Sequence, residues 1–190
     1  RAGIARTFQN VALFGHMTVL ENVLVGLHHS FQGGLFHVLL QTGRARGEEA
    51  GARARARALL DFVGLGDQAQ ASAGSLPYGK QRLLEIARAL AQNPAVIILD
   101  EPAAGLTHGE ISTVVALMQK LKSLGLAILL IEHHLDVVMA CSDEITVLDF
   151  GQKIAGGRPA DIQRHPEVIR AYLGTTADEA GPGTPAPSHA

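Results

Sequence analysis

Residues 76–102 read LPYGKQRLLEIARALAQNPAVIILDEP, and this stretch decides the fold. A glycine-containing turn leads into an amphipathic helix, because apolar residues recur with the spacing of one helical face until Pro94 ends the pattern. An apolar strand, residues 95–99, follows at once and ends in Asp100 and Glu101. Buried strands that alternate with helices are typical of an α/β parallel sheet covered on both faces.

Other segments continue this alternation. Thr107 and Glu110 form a capping-box pattern at the start of a helix that Gly125 ends. Glu21 and Asn22 predict the start of an earlier helix within an apolar stretch. The remaining predicted elements are strands at 3–8, 127–131, 144–148 and 153–155, a helix at 47–63, and two short terminal helices with Pro159 and Pro166 in their first turns.

Composition limits the function classes. With 16 Lys and Arg against 18 Asp and Glu in 190 residues, the charge balance gives no indication of nucleic-acid binding. The single Cys141 excludes an internal disulfide and favours a reducing compartment. The apolar runs are far shorter than the roughly 18 residues that indicate a membrane span. Arg53, Arg55 and Arg57 predict a solvated helix face, with a specific anion site as the alternative.

A segment that overlaps the same glycine-containing turn is similar to a phosphate-binding loop but departs from it at a decisive position. Gly74–Lys80 fits the first seven positions of G-x-x-x-x-G-K-[ST], yet Gln81 stands where a hydroxyl must reach Mg²⁺. No apolar strand precedes it at 68–73. We therefore expect the phosphate-cradling loop to be missing, and the start at Arg1 without an initiator Met suggests a fragment of a longer protein.

Asp100 and Glu101 are the strongest candidates for chemistry. Acids at the carboxyl end of a strand face the crevice where open α/β sheets bind ligands. There the first acid can hold Mg²⁺ through water and the second can polarise an attacking water. The alternative is that both acids merely cap the following segment.

The order of these motifs resembles the ABC-type ATPases, with LPYGKQR similar to their signature motif and VIILDEP similar to their Walker B strand. The resemblance implies a P-loop NTPase-like (RecA-like) parallel sheet with an inserted ABC-type helical subdomain at about 20–92, lacking the N-terminal strands. It implies a partial nucleotide-binding domain over residues 1–174. The tail at 175–190, rich in Ala, Gly, Pro and Thr, is expected to be disordered.

The resemblance also assigns roles to single residues. Asp100 becomes the Walker B aspartate that binds Mg²⁺, and Glu101 becomes the catalytic base. Gln9 becomes the residue that senses the γ-phosphate of ATP through Mg²⁺ and water. His133, after the strand at 127–131, becomes the switch histidine that orients the water. Taken alone, a Gln or His at a strand end is usually structural, and the adjacent His134 receives no role.

The signature motif implies binding of the ATP held by a partner subunit, at the positive end of a helix. Its six positions are Leu76, Pro77, Tyr78, Gly79, Lys80 and Gln81, aligned with the common form LSGGQ. Pro77 replaces a serine and Tyr78 a glycine, so the phosphate contact must come from the Gly79 N–H and nearby main chain, with Lys80 adding charge. In the similar dimer-contact loop, Thr107 stands where aspartate is usual.

Within this family the chain resembles the ATPases of branched-chain amino acid importers, through LPYGKQRLLEIARAL, DEPAAGL, IEHHLDVVM and HPEVIRAYLG. That branch implies a homo- or heterodimer of ATPase subunits, transmembrane permeases and a substrate-binding protein. It also implies a peripheral position at the cytoplasmic face of the inner membrane.

Two alternatives to this branch stay open. One is the ATPase of lipopolysaccharide export, which shares the EIARAL helix and the YLG ending but usually has an LSGG signature. The other is a non-catalytic interaction module without a phosphate loop. Residues 1–190 by themselves are expected not to hydrolyse ATP appreciably.

Overall fold

The computed structural model describes residues 3–7, 12–27 and 43–171. Gln9 and the predicted tail at 175–190 lie outside these described residues. The chain divides into two compact units, Arg1–Val137 and Val138–Ala190, which are described separately below.

Within residues 3–7, 12–27 and 43–137, three strands form a parallel sheet in the first unit. Its strands are β1 (Ile4–Arg6), β2 (Val96–Asp100) and β3 (Ala127–Ile131), in the spatial order β1-β2-β3. The register pairs Ala5 with Ile97, and Ile97 with Ile128. Ile97 and Leu99 are fully buried, as expected for the middle strand of a sheet covered by helices. The predicted α/β parallel sheet is therefore confirmed.

The burial of β3 is lower than its apolar sequence predicts. Leu129 and Ile131 are 53% and 45% exposed, and they share one face because strand side chains alternate. β3 lies at an edge of the described sheet, where one neighbouring strand protects it instead of two. An apolar run predicts the strand, but the number of its neighbours decides how much of it is buried.

Among the described residues, four helices lie in this unit before residue 124, and a fifth follows β3 and continues past Val137. They are α1 (Val19–Leu27), α2 (Gly43–Phe62), α3 (Tyr78–Leu90), α4 (His108–Ser123) and α5 (Leu135–Cys141). The helices α1, α2 and α3 pack against one another, α3 also contacts β1, and α4 contacts β3. The boundary of a helical subdomain at about 20–92 remains a prediction.

The start of α1 corrects the sequence prediction. The helix begins at Val19, because Thr18 caps it: Glu21 N donates to Thr18 Oγ1 at 3.1 Å, and Thr18 N donates to Glu21 Oε2 at 2.8 Å. Glu21 is thus the third helical residue of a capping box. Asn22 is fully buried and its side chain bonds both main-chain groups of Phe14, at 3.0 and 3.1 Å.

The close approach of α1 to α3 depends on Gly26. A Cβ atom there would meet the carbonyl oxygen of Arg88 and would lie 2.9 Å from the Ala91 Cβ. We expect Gly26→Ala to lower the free energy of unfolding by about 1–3 kcal/mol, because overpacking outweighs the gain in helix propensity. Gly51→Ala in α2 is the matched control: no atom lies within 4 Å of its added methyl, so a gain of about 0.5–1 kcal/mol is expected in urea unfolding. Equal effects of the two substitutions would contradict the packing argument.

The predicted exposure of three arginines on one helix, α2, to solvent is confirmed. Arg53, Arg55 and Arg57 are exposed, and Arg53 Nη2 lies 3.1 Å from Glu49 Oε1 one turn away. The opposite face buries Ala52, Ala56 and Leu60 completely.

No helix within the described ranges combines the length and apolar character that crossing a membrane requires.

The described residues of the second unit include an antiparallel hairpin and two short helices. The strands are β4 (Ile145–Asp149) and β5 (Gln152–Gly157), and the helices are α6 (Pro159–Ile162) and α7 (residues 166–171). Phe150 and Gly151 have φ of 44° and 79°, which is the conformation of a tight hairpin turn. Ile145, Ala155, Ile162 and Val168 form its buried core. The predicted strands, turn and proline-led helices are confirmed within one or two residues.

Candidate functional site

Three of the predicted chemical residues, Asp100, Glu101 and His133, lie where β2 and β3 end. Asp100 is the last residue of β2 and pairs in register with Ile131, the last residue of β3. Glu101 and His133 follow these two ends. Glu101 N donates to Ile131 O at 2.9 Å, which joins the two strand ends directly. Parallel strands therefore bring together acids and an imidazole that are about 30 residues apart in sequence.

Glu101 is held in an unusual backbone conformation. Its φ is 45°, in the left-handed region that non-glycine residues rarely occupy and that costs of order 1–3 kcal/mol. The Ala104 N–H donates to the Glu101 carbonyl at 3.1 Å, which closes a turn directly after the strand. Glu101 Oε1 lies 3.6 Å from His133 Nδ1, and the exposed fractions of the two side chains are 27% and 63%. The carboxylate and the imidazole thus face each other at a surface that solvent reaches.

Asp100 carries a charged partner that the sequence did not indicate. Arg6 Nη2 donates to Asp100 Oδ2 at 2.8 Å from the neighbouring strand β1. Thr7, which is buried, accepts from Asp100 N through Oγ1 at 3.3 Å. The predicted magnesium ligand is thus fixed at the strand end with a guanidinium beside one carboxylate oxygen.

Sequence reasoning missed Glu132, whose side chain is fully buried between the strand ends. Its Oε1 accepts from Ala103 N at 2.8 Å, and its Oε2 accepts from His133 N at 3.0 Å and from His134 N at 3.2 Å. His134 Nδ1 lies 3.1 Å from the same Oε2. The only signal in the sequence is an acid that directly follows the apolar strand AILLI.

The charge of Glu132 follows from these contacts. Burial alone would raise the pKa of the Glu132 carboxyl, but the hydrogen bonds from Ala103, His134 and His133 outweigh it and bring the pKa below its usual value. The group is therefore a carboxylate at neutral pH. It also gives His134, for which the sequence offered no role, a defined partner.

The signature segment opens α3 as predicted. Pro77 is the N-cap residue, with φ −53° and ψ 149°, and the N–H groups of Lys80 and Gln81 both donate to the Pro77 carbonyl at 3.0 Å. The Gln81 side chain reaches back to the buried Leu76 and donates to its carbonyl at 2.8 Å. Tyr78 is 44% exposed at the first helical position.

Gly79 is buried, and an acidic side chain lies against it. A Cβ on Gly79 would overlap the Glu110 carboxylate, reaching within 2.6 Å of its Cδ. Glu110 also completes a capping box with Thr107, and these bonds, together with the Gly79 N–H, lower the pKa of its carboxyl. The positive end of α3 therefore already faces a negative charge from α4.

The segment that fits seven positions of a phosphate loop is not one. Ala73–Ser75 forms a short 3-10 turn, and the residues from 77 onward belong to the cap and first turn of α3. Residues 68–73 contain no strand that could feed such a loop. The rejection of Gly74–Lys80 on sequence grounds is confirmed.

Acids at the ends of parallel strands, on a sheet of this α/β type, lie where such sheets bind ligands. Residues 1–104 match the family model described as ABC transporter, and residues 152–178 match that of the branched-chain amino acid ATP-binding cassette transporter. The chain belongs to the ABC transporter family, as one of its ATPases with the P-loop NTPase fold.

Individual relatives agree with this assignment. The chain is 45% identical to the high-affinity branched-chain amino acid transport ATP-binding proteins LivG of Salmonella typhimurium and BraF of Pseudomonas aeruginosa, over 92% of this chain and 69% of each relative. Among solved structures, the ADP conformation of MJ1267, an ATP-binding cassette, aligns with a TM-score of 0.72 at 33% identity, over 90% of this chain and 68% of that one. The dimeric cassette MJ0796, bound to ADP and Pi, aligns with 0.66 at 26% identity, over 82% and 62%.

Proposed function

We propose that this protein hydrolyses ATP to drive an importer of branched-chain amino acids. The observation that carries the proposal is the meeting of Asp100, Glu101 and His133 at the ends of two adjacent parallel strands. The names of the relatives, which are branched-chain amino acid transport ATP-binding proteins, support the choice of solute.

Glu101 is proposed to act as the general base. Its carboxylate is partly exposed and is aimed by the turn at residues 101–104, so a water between it and a bound nucleotide could lose a proton to it. His133, 3.6 Å away, is proposed to hold the γ-phosphate and the water through its ring nitrogens. Gln9, the proposed γ-phosphate sensor, lies outside the described residues.

Asp100 is proposed to hold Mg²⁺ through water, together with Gln9. A carboxylate at a strand end, next to a second acid, offers the hard oxygen ligands that Mg²⁺ prefers, so the residues fit the ion. Bound Mg²⁺ supplies positive charge to the phosphate oxygens. Arg6, 2.8 Å from Asp100 Oδ2, orients this carboxylate.

The signature residues 76–81 are proposed to serve the nucleotide of a second ATPase subunit. The N-terminus of α3 is suited to an anion, and the dimeric relative MJ0796 supports a paired assembly. The carboxylate of Glu110 now lies against Gly79, and two anions repel at one helix end. Phosphate contact at Gly79 therefore requires that this side chain move aside.

The proposed partners are transmembrane permeases, which the ATPase contacts at the cytoplasmic face of the inner membrane, and indirectly a substrate-binding protein. The match of residues 152–178 to the branched-chain amino acid transporter model favours this branch over lipopolysaccharide export.

The proposal is tested with the complete transporter in proteoliposomes. We expect leucine, isoleucine or valine, with the binding protein present, to raise the ATPase rate severalfold. Aspartate and lysine, and liposomes without the binding protein, are the matched controls. Stimulation by lipopolysaccharide instead, or by none of the solutes, would contradict the proposed transport function.

A further inference from the structure

We infer that Glu132 is a positioning residue for ATP hydrolysis, which holds Glu101 and His133 in register with each other. The inference rests on the proposed roles of those two residues. The Glu132 side chain is fully buried, and a buried carboxylate is costly unless hydrogen bonds replace its water. In the part of the chain that the structure describes, Glu132 meets that requirement through the two segments that carry the proposed chemistry.

One carboxylate joins both segments. Oε1 accepts from Ala103 N at 2.8 Å, two residues after Glu101, and Oε2 accepts from His133 N at 3.0 Å. Charge-assisted bonds of this kind are roughly twice as strong as neutral ones. A displacement of either segment would stretch a bond to the same buried group, so Glu132 fixes the distance between them.

The turn after β2 needs such an anchor. Glu101 is held at a φ of 45°, and conformations of this kind persist only where surrounding bonds over-determine them. Glu101 N bonds Ile131 O at 2.9 Å on one side, and Ala103 N bonds Glu132 on the other. The two bonds bracket the turn, and both end on the chain around β3.

One ring nitrogen of His133 lies near two carboxylates. Its Nδ1 is 3.6 Å from Glu101 Oε1 and 3.9 Å from Glu132 Oε2. Glu132 Oε2 is thus close to the ring of His133 and also accepts a hydrogen bond from its main-chain N–H. Since Glu132 is buried and does not face solvent, it acts through Glu101 and His133 and not on a substrate directly.

The test is Glu132→Gln in the complete transporter. Glutamine has nearly the same shape, but its amide nitrogen cannot accept a hydrogen bond, so one of the two segments loses its anchor. We expect kcat to fall about 10- to 100-fold, the effect of misplacing groups by about 1 Å, with the KM for ATP within about twofold of the parent. Glu132→Asp retains both acceptor oxygens on a shorter stem and is expected to give an intermediate kcat.

The controls separate positioning from stability. Glu49→Gln, at an exposed glutamate paired with Arg53, is expected to leave kcat unchanged. An equal loss of ATP binding and of kcat in Glu132→Gln, with a lowered Tm, would indicate a merely structural residue and overturn the inference. If Glu132→Gln does not fold, Glu132→Asp decides: a lowered kcat at unchanged KM supports the inference, and parent-like kinetics overturn it.

Variants of Glu101 and Glu132 distinguish an error in the positioning role of Glu132 from an error in the proposed function. Because Glu132 acts in part through Glu101, the effects of the two substitutions are expected to be non-additive: adding Glu132→Gln to Glu101→Gln should slow turnover less than Glu132→Gln slows the parent. If Glu101→Gln stops turnover and Glu132→Gln leaves kcat unchanged, only the positioning role is wrong. Normal turnover in Glu101→Gln would remove the proposed base and, with it, the ground for this inference.

Discussion

Replacement of Glu101 by glutamine is expected to lower the ATP turnover of the complete transporter by about 100-fold or more, the usual contribution of a general base. The amide has nearly the shape of the carboxylate but cannot accept a proton from water. ATP binding is expected to persist, because the substitution removes a group that acts on the water and not on the nucleotide. Phosphate release and ATP binding, measured on the same sample, check both parts.

The control for this variant is Glu144→Gln, at an exposed glutamate of the second unit. It makes the same change of charge and should leave turnover at the parental rate. Turnover of Glu101→Gln within about threefold of the parent would show that a different group takes the proton.

Replacement of Arg82 by methionine is expected to lower the free energy of unfolding by about 3–5 kcal/mol. Arg82 and Glu85 in α3 have side chains that are 0% and 1% exposed, and Nη1 of the arginine lies 2.9 Å from Oε2 of the glutamate. Arg82 Nη2 also donates to the Tyr78 hydroxyl at 3.1 Å, which ties the pair to the signature segment. Without the guanidinium, the buried Glu85 carboxylate loses the positive charge that lies 2.9 Å from it. Urea unfolding followed by circular dichroism measures the loss.

Two variants test whether burial is the cause. Arg53→Met breaks an exposed pair with Glu49 one helical turn away and should cost less than about 0.5 kcal/mol. Arg82→Met/Glu85→Leu removes both buried charges and should recover most of the loss, because neither charge is then left alone. A cost below about 1 kcal/mol in Arg82→Met would contradict the account of this pair.

The helices and strands that the sequence predicted are those that short-range patterns determine, such as apolar runs, helical spacing and capping residues. The strand β2 follows from an apolar run, and α3 follows from helical spacing that stops before Pro94. The capping box of Thr107 and Glu110 was correct in both of its reciprocal bonds. The start of α1 was wrong because Glu21 was taken as the beginning, whereas it is the third residue of a box that Thr18 opens.

The parts that could not be predicted depend on contacts between distant segments. Arg6 meets Asp100 across 94 positions, and Ala103 meets Glu132 across 29. Neither pair has a period or spacing that reveals it, because the sheet register brings them together. The helix α5, with seven residues, is too short to give a clear periodic signal. The contact of Glu110 with Gly79 likewise arises only when α4 packs near the start of α3.

The most direct test of the account measures the mass of the intact ATPase subunit with Glu101→Gln by analytical ultracentrifugation, with Mg²⁺ and either ATP or ADP. If the strand-end acids of one copy and the signature segment of another hold the same nucleotide, ATP should convert the protein into a dimer that retains one ATP per protomer, and ADP should not. A monomer saturated with ATP would contradict the account.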